Sequence, residues 1–181
     1  MLLKQKIMKP NKFSLLLSVF FGLFLAFSAF AQNQTFSDIN AEYTFDLPDA
    51  AWKMTAKPST ISPNVEYVYG DRKDGHLEVR KLALKSGDLL SDLIAEEEGK
   101  LQFLPGYVAG KEEQFAGGLK GTIFNYEYVR AGRNMSGRFY FLKADASTVY
   151  VLRFTGERDK LRSIRNYTDS ISRTFELKKS K

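Results

Sequence analysis

Residues 119–154 constrain this chain more than any other stretch. They read LKGTIFNYEYVRAGRNMSGRFYFLKADASTVYVLRF, three β-rich runs separated by two short turns. Ala131-Gly132-Arg133-Asn134 and Ala144-Asp145-Ala146-Ser147 hold the residue types that tight reversals need. If both are symmetric turns, Phe124 faces Phe141 and Tyr126 faces Phe139. In the next pair Phe141 then faces Tyr150, and Phe139 faces Leu152. Alternate residues of a strand share a face. One face therefore gathers Phe124, Tyr126, Tyr128, Phe139, Phe141, Tyr150, Leu152 and Phe154. So much apolar surface requires a cover. The sequence predicts an α+β fold, an antiparallel β-sheet flanked by helices as an α/β/α sandwich.

The opposite face of this meander is graded. Ile123, Leu142, Val149 and Val151 form an apolar end, and Asn125, Glu127, Arg138, Tyr140 and Arg153 form a polar end. In the symmetric register Glu127 faces Arg138, and Arg138 faces Arg153. One carboxylate between two guanidiniums leaves a positive charge over. That pattern suits a small anion or an acidic partner. It equally suits a solvated ladder of ion pairs that contributes little. A slip of one residue would move these side chains to the other face.

Charge has to be read after export is considered. Lys4, Lys6, Lys9 and Lys12 precede an apolar run at 13–27, and Ala29-Phe30-Ala31 forms an A-x-A site before Gln32. This is the layout of a secretory signal peptide over 1–31, with cleavage between Ala31 and Gln32. An uncleaved anchor is the competing reading, since 13–31 approaches the length of a membrane span. The 27 basic and 21 acidic residues give a formal charge of +6. Four of the lysines and no acids lie in 1–31, so the mature chain carries +2. A nucleic-acid partner loses its electrostatic support. The expected product is soluble, periplasmic or extracellular, and meets a membrane only during export. With no cysteine, it has no disulfide, no thiol chemistry and no lipidated cysteine.

The remaining segments are read in order. Residues 32–40 are polar and are expected as a flexible leader. Tyr43-Thr44-Phe45-Asp46-Leu47 and Trp52-Lys53-Met54-Thr55 read as short strands, with Trp52 as a core anchor. A hairpin follows, Val65 to Tyr69 and Leu77 to Leu84, with Gly75 suited to positive φ in its loop. His76 is the only histidine and reads as a surface residue without a partner. Asp88 reads as the N-cap of a helix whose stripe is Leu89, Leu90, Leu93, Ile94, Leu101 and Leu104. Pro105-Gly106 ends it, and another strand follows at 107–115. A last helix is expected from Glu157, striped by Leu161, Ile164, Tyr167 or Thr168, Ile171 and Phe175. Lys178-Lys179-Ser180-Lys181 forms a basic tail.

Several phrases in this order resemble the PsbP-like proteins. They are YTFDLP followed by a tryptophan, the Gly-Gly-Leu-Lys-Gly start of the meander, VYVLRFTG, and a terminal helix ending SISRTFEL. The resemblance covers 41–177 and implies one domain, an antiparallel sheet with helices on both sides. That group includes an extrinsic photosystem II subunit, Ran-binding relatives and exported bacterial proteins. It brings no catalytic residue that could be placed here, and fold alone does not imply function.

Three functions compete. The first is a non-enzymatic exported module that binds a protein or cell-envelope component. The second is a protein for a small anionic ligand, held near Asn125, Glu127, Arg138, Tyr140 and Arg153. The third is a hydrolase that uses carboxylates such as Glu78 and Glu127. No cofactor, metal or catalytic set is expected, since one histidine and no cysteine supply none.

Overall fold

The computed structural model describes residues 34–179. The signal peptide expected at 1–31, its cleavage residues Ala29, Ala31 and Gln32, and the last two residues of the basic tail lie outside them.

Strands β3 (Trp52–Ala56), β4 (Val65–Tyr69), β5 (Gly75–Ala83), β6 (Val108–Ala116), β7 (Lys120–Arg130), β8 (Arg133–Lys143) and β9 (Thr148–Glu157) form one antiparallel sheet. Their order across it is β3-β4-β5-β9-β8-β7-β6. A smaller sheet joins β1 (Gln34–Ser37), β2 (Tyr43–Leu47) and β10 (Glu176–Leu177). Helix α1 (Leu90–Gly99) packs on one face of the large sheet. Helices α2 (Arg158–Ser163) and α3 (Arg165–Arg173) and the small sheet pack on the other. The predicted sandwich is present.

The register differs from the symmetric one, and the two turns differ for separate reasons. The β7–β8 turn is only Ala131-Gly132, with φ of 49° and 73°, and Arg130 pairs with Arg133. Positive φ at both central residues matches the right-handed twist of a hairpin. Phe124 consequently pairs with Phe139, and Tyr126 with Gly137. This is a shift of two residues and leaves the faces unchanged. The β8–β9 loop differs by one, because Lys143 pairs with Val149. Asp145 Oδ1 accepts bonds from Ser147 N at 2.8 Å and Ser147 Oγ at 3.0 Å. Ala144 N reaches Thr148 O at 3.0 Å. A slip of one turns every β9 side chain over.

The aromatic ribbon expected on one face is thus divided between two. Phe124, Tyr126, Tyr128, Phe139 and Phe141 lie under α1 with Val149, Val151, Leu93, Ile94 and Leu101. Tyr150, Leu152 and Phe154 lie on the other side with Tyr140, Leu142, Leu161, Ile171 and Phe175.

Smaller expectations are corrected as well. The leader contains a strand, β1, whose Phe36 stacks on Phe45 at 4.8 Å and is buried. Lys178 of the tail is anchored by its backbone N–H to Glu42 O at 2.8 Å. Asp88 is not the N-cap of α1; Leu89 holds that place, and its N–H donates to Asp92 Oδ2 at 2.7 Å. Helix α1 ends at Gly99, so Leu101 packs from the turn beyond it. The terminal helix is two helices, broken at Ile164 with φ −102° and ψ 16°. Gly70, not Gly75, takes positive φ, and a Cβ at Gly75 would lie 2.8 Å from Ile164. His76 is not free: its Nε2 lies 2.9 Å from Glu66 Oε2. Trp52 is 2% exposed and anchors the core as expected.

Helix α1 is tied to the sheet by a buried carboxylate. Glu97 meets Arg80 Nη2 at 2.5 Å and Lys100 Nζ at 2.7 Å. Burial opposes its ionisation, but the two cations outweigh it and hold the carboxyl below its usual range.

Phe139 is 1% exposed, with the Phe141 and Tyr126 rings at 5.2 and 5.5 Å. Phe139→Ala is expected to cost about 3–5 kcal/mol in urea denaturation, from lost burial and the cavity left behind. A loss under about 1 kcal/mol, the scale of an ordinary surface substitution, would show that the ring is not buried between the sheet and α1.

Candidate functional site

The predicted polar end is real, but the structure divides it. Asn125, Glu127, Arg138 and Tyr140 share the face that carries α2 and α3. Arg153 lies on the opposite face, paired in register with Phe139. The same β9 inversion that splits the aromatic ribbon removes the Glu127–Arg138–Arg153 ladder. Glu127 instead pairs in register with Ser136, and its carboxylate lies 3.7 Å from Arg158.

Arg138 sits beneath α3 and is 7% exposed. Its Nε donates to Tyr140 Oη at 2.6 Å, Nη1 to Asn125 Oδ1 at 2.9 Å and Nη2 to Asp169 Oδ1 at 3.0 Å. The Tyr140 hydroxyl also donates to Asp169 and lies 3.2 Å from Thr168 Oγ1. Burial pushes that hydroxyl pKa up; Arg138 opposes this and the Asp169 hydrogen bond adds to it. The guanidinium is thus neutralised and directionally bound from three sides. Chemically, this network fastens α3 to the centre of the sheet.

A cleft of about 400 Å³ opens beside the network. Asn125, Glu127, Ser136 and Arg138 form its sheet side, and Leu161 and Thr168 its helical side. Arg158, Arg162 and Arg165 rim it. Arg162 and Arg165 are exposed. Arg158 lies between Glu127 and Asp159 at 3.7 and 3.8 Å, Arg162 shares Asp159 at 3.9 Å, and Arg165 has no ion-pair partner among the described residues.

The helical contributors were not among the residues singled out from the sequence. Arg158, Arg162, Arg165 and Asp169 recur at spacings of four, three and four, the signature of one helical face. That polar stripe is visible in the sequence beside the apolar one.

A second cleft, about 500 Å³, lies on the other face. It is bordered by Glu66, Arg72, Lys73, His76, Glu78, Arg130, Arg133 and Arg153. Arg153 Nε donates to Tyr126 Oη at 2.9 Å, and its guanidinium lies over the Phe139 and Tyr126 rings at 5.4 and 5.9 Å. Burial pushes the Tyr126 hydroxyl up to about 12, against the pull of Arg153. Gly137 makes this contact possible, since a Cβ there would lie 2.0 Å from Tyr126 Cζ.

Asp169→Ala leaves the buried Arg138 charge without its carboxylate. It is expected to cost about 1.5–3 kcal/mol in chemical denaturation, the range for hydrogen bonds to charged groups. A double-mutant cycle with Arg138→Met should show coupling above about 0.5 kcal/mol. Additive losses would mean that the pair does not fasten the helix.

No protein-family model and no curated protein matches this sequence. Solved structures do match. The Ran-binding protein Mog1p of Saccharomyces cerevisiae is 11% identical, with 81% of this chain and 96% of that chain covered and a TM-score of 0.59. Cyanobacterial PsbP from Synechocystis is 14% identical, with 84% and 96% covered and a TM-score of 0.56. LpqN of Mycobacterium tuberculosis is 15% identical, with 82% and 92% covered and a TM-score of 0.54. These likenesses extend over the sheet and its helical layers, and the chain has the Mog1/PsbP-like fold.

Proposed function

We propose that the chain is an exported, non-enzymatic module that binds a protein or cell-envelope component through the arginine-rimmed cleft. The observation that carries this reading is the placement of Arg158, Arg162 and Arg165 along the helical rim of the cleft. Guanidiniums set along one helical edge suit carboxylate-rich partner surfaces, because each planar fork offers paired donors and loses little freedom per hydrogen bond formed. Two proteins of the same fold lend support. Mog1p is described as Ran-binding, and LpqN as involved in cell envelope biogenesis. Export rests on the basic, apolar and A-x-A segments of 1–31.

Geometry separates the other readings. Glu78 borders the cleft on the α1 side and Glu127 the cleft on the α3 side. They stand on opposite faces of the sheet and cannot act together on one bond, so the carboxylate-dependent hydrolase loses its acid pair. A small anion at Arg138 meets a guanidinium already matched by Asp169.

The test compares capture from the native envelope fraction by the wild type and by Arg162→Glu/Arg165→Glu. Both positions are exposed, so the unfolding free energy should stay within about 0.5 kcal/mol of wild type. The captured partner should be lost from the double variant and retained by Arg130→Ala on the other face. Equal capture by wild type and double variant would remove the cleft from the function. N-terminal sequencing of the secreted product should begin at Gln32, and a product beginning near Met1 would end the cleavage reading in favour of an uncleaved anchor.

A further inference from the structure

The second cleft has a feature that the partner-binding reading does not use. Arg153 is held from beneath and left open above. Its stem and guanidinium lie against Phe139 and Tyr126, and its Nε is committed to Tyr126 Oη. Its terminal nitrogens have no hydrogen-bond partner among the described residues. The nearest carboxylate is Glu78, at 4.0 Å from Nη1. Glu78 is itself divided, because Arg80 Nε lies 3.6 Å from its other oxygen. That Arg80 Nε is buried and has no hydrogen-bond acceptor, so Glu78 serves neither guanidinium with a true bond.

The surroundings strengthen the case. The cleft is bordered by five cations, Arg72, Lys73, Arg130, Arg133 and Arg153, against three carboxylates, Glu66, Asp71 and Glu78. Glu66 is occupied by His76 at 2.9 Å and Arg72 at 3.5 Å, and Asp71 by Lys73 at 3.4 Å. Arg133 pairs with Glu157. Arg130, on the exposed hairpin, has no ion-pair partner among the described residues. The charge left over therefore belongs to Arg130 at the rim, and the donors left over are the terminal nitrogens of Arg153 in the floor, since Arg80 is matched by Glu97 and Glu78 only approaches Arg153.

We propose that this cleft binds a small oxyanion, a carboxylate or phosphate group, on the terminal nitrogens of Arg153. Stacking and the Tyr126 bond fix the plane of the fork, so little side-chain freedom remains to be lost on binding. Two parallel N–H donors match two oxygens of either group. The aromatic floor excludes water beneath the charge and lowers the local dielectric, which strengthens the contact. Arg130 adds long-range attraction. The site stands apart from the arginine-rimmed cleft and does not depend on it.

The exported chain, purified and isotope-labelled, would be titrated with inorganic phosphate and separately with malonate. Ionic strength is held constant with sodium chloride, and amide shifts are followed by NMR. At least one oxyanion should give saturable shifts at His76, Arg153 and Thr155. Arg153→Lys keeps the charge but loses the fork, and should weaken binding at least tenfold. Arg130→Ala should weaken it about threefold, and it decides the matter if Arg153→Lys does not fold. Arg165→Ala, at the other cleft, should leave the affinity unchanged. Saturation by phosphate alone, malonate alone or both identifies the ligand group. Absence of saturation with both, affinity retained in Arg153→Lys, or shifts confined to residues around Arg138 would overturn the proposal. None of these results alters the comparison of capture by wild type and Arg162→Glu/Arg165→Glu, so the two readings fail separately.

Discussion

The number of residues between β8 and β9 decides what each side of the large sheet can be packed against. Lys143 pairs with Val149, and the Asp145 carboxylate stabilises the loop between them through Ser147. Side chains alternate, so this count selects one of two sets from β9. Val149 and Val151 are sent under α1, and Tyr150, Leu152 and Phe154 are sent to the opposite layer. The sizes suit their destinations. On the α1 side, two small valines complete a layer that the rings of β7 and β8 already crowd beneath a single ten-residue helix. The larger set meets two helices and a second sheet, where Tyr150 lies 5.2 Å from Phe175 and 5.4 Å from Tyr43. With the other parity, the bulky set would crowd α1 and leave a void under the small sheet. Either fault would cost stability on the order of 1–5 kcal/mol per large side chain.

That count also explains what could be read in advance. The alternation in β7, β8 and β9 and the apolar stripes of the helices are local patterns, and the architecture follows from them. Register is not local. The β7–β8 turn differed from the symmetric expectation by two residues, which moved partners but kept faces. The β8–β9 loop differed by one, which inverted a strand. Both loops use ordinary turn residues, so composition alone does not distinguish two residues from an odd-length connection. The strand in the leader carries no legible alternation, because Phe36 is its only buried residue and its pairing with Phe45 is a tertiary fact. The break at Ile164 leaves no mark in the pattern for a different reason, since Ile164 and Leu161 continue the apolar stripe and are both buried.

The polar residues sort by the same logic. Asn125, Glu127, Arg138 and Tyr140 depend only on the relation of β7 to β8, and an error of two leaves them together. Arg153 depends on the next loop, and it left the group. Asp169, which gives Arg138 its counter-charge, could be joined to it only by knowing which side of α3 meets the sheet. Which side chains of two strands share a face survives an even error in the turn; which side chains pair does not, and neither do pairs between a helix and a strand.

Arg138 and Arg153 occupy neighbouring levels of adjacent strands, one on each face, and their surroundings are opposite in kind. Strands β7 and β8 have eleven residues each and span roughly 36 Å at about 3.3 Å per residue. Helix α1 has ten residues and spans roughly 15 Å. No residue of α1 borders the cleft over Arg153. On the other face α3 does reach, and it carries Asp169 to the guanidinium. A buried arginine beneath a helix must be matched by a carboxylate, because an unpaired charge there is strongly destabilising. An arginine beyond the end of the helix faces no such demand, and stacking on Phe139 and Tyr126 is enough to hold it. Helix reach thus makes one guanidinium a strut and leaves the other with unspent donors.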